Sequence, residues 1–327
     1  MIRNTSAAIL FVLSCLFSTI AAAQDRSKSG ALDVLQVRPN FYMIAGAGSN
    51  VGVQIGSDGV VLVDAGRAGA ADQLLAAIRK ITDKPIRYII DTNADPDHVG
   101  GNAKVAQAGK TFFNVEGPRA EMAKAMTNGG AAAVLAADGV LRRMSATSYS
   151  PEGWPTEAFF QPRKAIHLNG EGIEILRAPA AHSDSDSFVF FRSSDVVMAG
   201  DVLDTTGFPH IDIAQGGSLQ REIDALNRLL EIAIPPVPLV NEGGGTYVIP
   251  GHGRICDQAD VVEYRDMVVI LRDVVQDMIK RGMTLEQIQA SSPARPYERQ
   301  YGVSSNGWTA KAFIETVYKT LTANKQR

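Results

Sequence analysis

Asp95, Asp97 and His98 fall within four residues of one another, in the segment Thr92-Asn93-Ala94-Asp95-Pro96-Asp97-His98-Val99-Gly100-Gly101-Asn102. The apolar run Tyr88-Ile89-Ile90 comes just before it. A strand that ends in a loop dense in carboxylate and imidazole, closed by glycines, can build a metal site at the edge of a sheet. Together those donors suit zinc, iron or manganese. Three other segments share the context. His182 follows Ile175-Leu176-Arg177-Ala178-Pro179-Ala180-Ala181, Asp201 stands in Ala199-Gly200-Asp201, and His252 in Pro250-Gly251-His252-Gly253. Ligands collect where strand ends converge on one edge of an α/β sheet. A lone loop histidine is usually structural. Five candidates in one local context, Asp97, His98, His182, Asp201 and His252, point to a shared site.

The remaining candidates are weaker. His167 lies inside Ala165-Ile166-His167-Leu168 and reads as a surface or hydrogen-bonded strand residue. His210 follows Asp201 closely and is a candidate pocket residue, with Phe208, Trp154 and Trp308 as candidate walls. Asp64 is expected to orient a loop or a ligand histidine. Asp184 and Asp186 are expected to cap the His182 loop through backbone N–H groups.

The elements that must position these residues are legible from periodicity. Val51 to Gly56 and Val60 to Asp64 are apolar runs around the turn signal Asp58-Gly59. Leu74, Leu75, Ile78 and Ile81 share one face of a helix from Ala71 to Ile81, which Pro85 follows. Ile86 to Asp91 reads as a strand, Asn102 to Ala108 as a short helix, and Thr111 to Val115 as a strand. Residues 117 to 160 read as helices and a long loop inserted between two halves. Strands are expected at Ala165 to Leu168, Gly172 to Ala178, Ser187 to Arg192, Val196 to Ala199 and Thr246 to Ile249. Helices are expected at Ser218 to Ile232 and Val261 to Lys280, with Gly282 as a stop. Thr284-Leu285-Glu286-Gln287 reads as a capping box.

The N-terminus reads as a processing segment. Arg3 precedes an apolar stretch from Ala7 to Ile20, and Ala21-Ala22-Ala23 before Gln24 resembles a cleavage site. Residues 1–23 are therefore expected to be a signal peptide. The mature chain would then be periplasmic or secreted, without stable membrane insertion. Cys15 follows Val12-Leu13-Ser14, a weak match to a lipidation signal. The net charge is −3, and losing Arg3, the one charge in the leader, makes it −4. That mild acidity argues against a nucleic-acid partner and leaves a small-molecule substrate as the expectation. Cys256 alone remains in the mature chain, so an exported protein would rest on its core and not on an internal disulfide.

From about residue 34 to 255 the chain resembles the metallo-β-lactamase fold superfamily. The resemblance rests on Asp64-Ala65-Gly66, the Asp97-His98 loop with Gly100-Gly101-Asn102, the His182 loop, Gly200-Asp201 and Pro250-Gly251-His252-Gly253. His182-Ser183-Asp184-Ser185-Asp186-Ser187 also looks like a loop of exported hydrolase-like members. The resemblance implies an α/β layered fold, an αββα sandwich with the metal site at one rim. It implies one domain over 24–327, its core followed by a C-terminal helical segment over 256–327. In the superfamily one metal is held by three histidines, and a second by an aspartate and two histidines, with one bridging aspartate. Asp97, His98, His252 and Asp201 complete the second site here. At the first, Asn93 and Asp95 stand where two histidines belong, and His182 alone is kept.

Three outcomes follow from that departure. One zinc in the complete site could hold a water as hydroxide at neutral pH. That hydroxide would attack an ester, lactone, amide or related bond, with Asp97 or Asp95 orienting the water or taking its proton and Asn93 polarising the substrate. Alternatively Asp95, His182 and Asp201 hold a second, oxygen-rich metal site that favours manganese, iron or weakly bound zinc, which admits an iron-dependent oxidoreductase. Or the site is degenerate and the protein only binds a ligand.

Overall fold

A computed structural model of the chain describes residues 32–112, 130–237, 244–302 and 308–323. Two sheets face each other. The first has seven strands in chain order, β1 (Asp33–Arg38), β2 (Phe41–Ala45), β3 (Val51–Gly56), β4 (Gly59–Val63), β5 (Ile86–Ile90), β6 (Ala133–Ala137) and β7 (Glu157–Phe159). The pairs from β1 to β4 are antiparallel, and β4 through β7 run parallel. The second sheet has the order β12-β11-β10-β9-β8, with β8 (Arg163–Leu168), β9 (Glu171–Arg177), β10 (Ser187–Phe191), β11 (Val196–Asp204) and β12 (Tyr247–His252). Its pairs are antiparallel except β11 with β12.

The alternation of side chains builds the layers. β4 is buried along its whole length. Val61 and Val63 point into the gap between the sheets, where they meet Phe41, Ile90, Ile175, Val189, Phe191 and Met198. Val60 and Leu62 point outward, onto α1 (Ala71–Ile81) through Leu74 and Ile78. The outer face of the second sheet is covered in the same way by α5 (Leu219–Ile232) and α6 (Gln258–Lys280), together with Phe313 and Val317 further along the chain. Between α1 and α5 come α2 (Pro96–Val99), α3 (Asn102–Ala108) and α4 (Asp138–Ala146). Helix, sheet, sheet, helix is the αββα order, with further helices at Leu285–Ser291 and Ala310–Ala323. The Thr284–Gln287 capping box is formed, and Gly282 takes φ +80° after α6.

Three parts of the chain depart from expectation. The stretch 117–160 is not purely helix and loop, because Ala133–Ala137 is an interior strand paired to β5 and β7. A parallel strand is buried on both faces and needs no polar alternation, so an alanine-rich run gives no strand signal. The hairpin of β1 and β2 precedes the apolar run at Val51 and adds two strands. The strand expected over Thr111 to Val115 is absent at Thr111 and Phe112, and its remainder lies outside the described residues.

Candidate metal centre

The candidate site lies at the rim where β4, β5, β11 and β12 end, closed by the loop between β9 and β10. Asp64 directly follows β4 with φ 62°, a left-handed conformation uncommon for a residue with a side chain. Its carboxylate accepts from the Thr92 backbone N–H and Thr92 Oγ1, both at 2.8 Å. His98 sits on the single turn α2, fully buried, with Nδ1 2.8 Å from Asp64 Oδ2. An ionised carboxylate only accepts, so Nδ1 carries the hydrogen and Nε2 is left facing Asp201 Oδ1 at 3.0 Å. His182 is anchored likewise. Its Nδ1 donates to the carbonyl of His210, and Nε2 faces Asp95 Oδ2 at 3.1 Å and Asp201 Oδ2 at 3.9 Å. His252, the last residue of β12, turns Nε2 toward Asp97 Oδ2 at 3.2 Å and Asp201 Oδ1 at 3.4 Å.

Two triads result, Asp97-His98-His252 and Asp95-His182-Asp201. Within each, one ligand atom per residue lies within 4.8 Å of the others. Asp201 stands between them, with Oδ1 toward the first and Oδ2 toward the second. It lies inside β11 and not in a turn after it, and Gly200 (φ +55°) supplies the kink. Gly251 leaves room for the Asp201 carboxylate, since a Cβ there would come within 2.2 Å of Oδ1. The loop before β3 braces the rim. Ser49 donates through N and Oγ to the Asp97 carbonyl, and Asn50 Nδ2 donates to the carbonyls of Pro250 and Gly253.

The donor chemistry fits a divalent cation in both triads. When Nδ1 of a neutral imidazole carries its hydrogen, Nε2 presents a lone pair. At His98 and His182 a lone pair 3.0–3.1 Å from a carboxylate oxygen is acceptor against acceptor, and the contact is favourable only with a proton or cation between them. In the metal-free protein a proton takes that place. Burial opposes charge on His98, yet Asp201 and Asp64 hold it well above the usual imidazole range. His182 is held well above it by Asp95, Asp186 and Asp201. His252 is pushed up to about 10 by Asp201 and Asp97 against the same burial cost. Burial alone would raise Asp201, but the surrounding imidazoles bring it well below the usual carboxylate range.

Asn93 and Asp95 are also at the rim, in different relations to it. Asn93 is fully buried and donates from Nδ2 to Asp201 Oδ2 at 3.1 Å, while its Oδ1 accepts from the Asp95 N–H. It holds the Asp201 carboxylate directly and the backbone of Asp95 through that N–H. Asp95 belongs to that triad directly. Asp186 caps the His182 loop as expected, accepting from the Ser183 N–H at 2.6 Å, and its burial raises it to about 7. Asp184 instead pairs with Arg143 and Arg142. His167 is exposed on β8, apart from the site.

The pocket candidates separate. His210 is exposed beside the site, its ring 5.2 Å from that of His182 and 4.5 Å from that of Trp308. Phe208 is not a pocket wall. It is 1 % exposed and stacked on Phe313 in the core beneath the C-terminal helices. Trp154 packs behind Tyr149, donating from Nε1 to the Tyr149 carbonyl. Sequence reasoning missed Arg143 and Tyr149, which lie on or after α4 and line a cavity of about 390 Å³ together with Asp95, Thr147, Asp212 and Gln215. Nothing near them in sequence marks either residue as belonging to the site.

The sequence profile of the Metallo-beta-lactamase superfamily matches residues 45–252, which is most of the chain, and the chain belongs to that superfamily. Among solved structures, the stereoselective inverting sec-alkylsulfatase Pisa1 from Pseudomonas sp. is similar at 15% identity, with a TM-score of 0.65 and 88% of this chain covered. This chain spans about half, 50%, of that protein's length. A metallo-beta-lactamase from Pontibacter korlensis is similar at 16% identity and a TM-score of 0.53, over 72% of this chain and 98% of that one. The DIM-1 metallo-beta-lactamase is similar at 16% identity and a TM-score of 0.51, over 73% and 97%. These likenesses show the fold. No curated protein matches the sequence.

Proposed function

We propose that this member of the superfamily is an exported, metal-dependent hydrolase acting on an ester, lactone, amide or related bond of a small molecule. The observation that carries the reading is the pair of triads divided by Asp201, with Nδ1 of both His98 and His182 anchored so that Nε2 faces carboxylate oxygen. Asp97, His98 and His252 would hold one divalent cation, and Asp95, His182 and Asp201 a second. Zinc is the ion proposed, with iron or manganese as alternatives at the second triad, where two of three donors are carboxylates. When bound, such a cation supplies Lewis acidity, lowering the pKa of a water from ~15.7 to ~7 and polarising the oxygen of the bond under attack.

The side chains supply orientation and proton transfer. Asp201 sets the spacing between the triads, and Asn93 fixes its Oδ2. Asp95 commits Oδ1 to Arg143, 3.5 Å away. Asp97 turns Oδ2 to His252, and its Oδ1 has no partner among the described residues. Asp97 is also 34% exposed, so Oδ1 is the atom we assign to accept the proton of the attacking water. The cavity beside Asp95 would receive the substrate.

The test is metal content per chain for protein purified without added metal or chelator, followed by turnover of a panel. The panel holds a carboxylic ester, a lactone, a β-lactam and a sulfate ester, the last two because similar structures include β-lactamases and an alkylsulfatase. One or two equivalents of zinc, with turnover lost to a chelator and restored by zinc, is the expected result. A chain that binds no metal even after metals are added back would refute the proposal. Bound iron with oxygen consumption would favour the oxidoreductase alternative that the oxygen-rich second triad admits. For export, the mature N-terminus is expected at Gln24, and recovery of an uncleaved chain from the cytoplasm would count against it.

A further inference from the structure

The second triad draws Asp95 and His182 from two different loops and Asp201 from β11, and the guanidinium of Arg143 lies beside it. Asp95 is on the loop after β5, and His182 is on the loop between β9 and β10. Arg143 projects from α4 and touches both. Its Nη1 is 3.5 Å from Asp95 Oδ1 and 3.3 Å from Ser185 Oγ. Its Nε donates to Gln215 Oε1 at 3.1 Å and lies 3.4 Å from Asp184 Oδ1. The side chain is only 13% exposed, so solvent offers these partners limited competition. The start of α4 is seated on the same loop, where a Cβ on Gly139 would stand 3.0 Å from the Asp184 carbonyl and the Ser185 Cα. The helix that carries Arg143 is therefore referenced to the loop that carries His182.

We propose that Arg143 is the positioning residue of the second triad. It clamps Asp95 Oδ1 so that Oδ2 alone is presented beside His182 Nε2, and it binds together the two loops that supply those ligands. The inference rests on the metal-dependent reading above and extends it to a residue outside the metal-ligand set. Two physical effects of Arg143 oppose each other. Its charge disfavours a second cation nearby, whereas its contacts hold a 28% exposed carboxylate in the one orientation that completes the triad. An unclamped Asp95 keeps its His182 contact through Oδ2 but has solvent on one side and no partner to hold Oδ1. Partners that orient a metal ligand typically matter by ~10–100-fold in affinity, and the positioning effect is taken to dominate.

Chelator-competition titrations with Zn²⁺ and Co²⁺ on the mature chain test this. Wild type is expected to bind two equivalents. Arg143→Ala should weaken the second equivalent by ~10–100-fold and leave the first within about twofold. Arg143→Lys, which keeps a donor and the charge, should recover most of the loss. The Co²⁺ absorption of the second equivalent should change in Arg143→Ala while that of the first does not. A second equivalent bound as in wild type, or more tightly, would overturn the inference. So would equal weakening of both equivalents, since a merely structural role would produce that. A wild type that holds a single equivalent unmoved by Arg143→Ala refutes this inference alone, and a wild type that takes up no metal refutes the hydrolase reading with it.

Discussion

Zinc binding to the metal-free protein should release protons, and the three site imidazoles set how many. Nε2 of His98, His182 and His252 each faces carboxylate oxygen across a gap that holds a proton in the metal-free state. His98 and His182 titrate well above the ordinary range, and His252 near 10. A group with a pKa near 10 is more than ~99% protonated at about pH 7.5. Filling the first triad then displaces about two protons, from His98 and His252, and filling the second displaces about one more, from His182. Each displaced proton makes the apparent affinity climb ~10-fold per pH unit, equivalent to ~1.4 kcal/mol. First-equivalent affinity should therefore rise ~100-fold per unit while both imidazoles remain protonated.

The assay is calorimetric titration at one pH in buffers of different ionisation enthalpy, where the slope counts the protons. A count near zero would refute the reasoning, because the imidazoles would then be neutral before the metal arrives. The metal-free protein carries a matching signature. The folded pKa of His252, about 10, lies above the unfolded value of ~6.5, so its stabilising contribution is fully present below ~6.5 and is lost as pH rises through about 10. The metal-free Tm should fall across that window, and the zinc-loaded Tm should not follow it.

Three substitutions test the frame around the site. Asp64→Asn keeps a residue type that tolerates φ 62° but removes the charged acceptor from His98 Nδ1. First-equivalent zinc affinity should fall ~10–100-fold in chelator competition with an unchanged far-UV circular dichroism spectrum, and wild-type affinity would remove Asp64 from its orienting role. Gly251→Ala places a Cβ against Asp201 Oδ1, so both metal equivalents should weaken together, and loss of only one would show that Asp201 does not serve both triads. Phe208→Ala should cost ~3–5 kcal/mol of unfolding stability with KM unchanged at a permissive temperature. A large KM effect with little loss of stability would restore Phe208 to the pocket.

Legibility in the sequence followed the range over which each residue's surroundings are set. His98, His182 and His252 were readable because each lies at or just beyond the end of an apolar run, and strand ends in this layering must meet at one rim. The strands at Val51, Val60, Ile86 and Gly172 were readable because β-branched runs are bounded by turn residues. Ala133–Ala137 was hidden because an interior parallel strand made mostly of alanine has neither alternation nor β-propensity to distinguish it from helix. Phe208 was misplaced by proximity. It is two residues from His210, yet its ring is buried in the core while that of His210 lies against His182 at the rim. Arg143 could not have been found from its neighbours in the chain. Its partners Asp95, Asp184, Ser185 and Gln215 are gathered from three separate loops, and only the packing of α4 on the His182 loop brings them within reach. Ligand types can be inferred from local pattern, whereas the groups that orient ligands are recruited by tertiary packing. That asymmetry explains why Asn93 and Asp95 looked like losses in the sequence. In the fold Asn93 fixes Asp201 and Asp95 is fixed by Arg143, so the altered positions remain tied into the second triad.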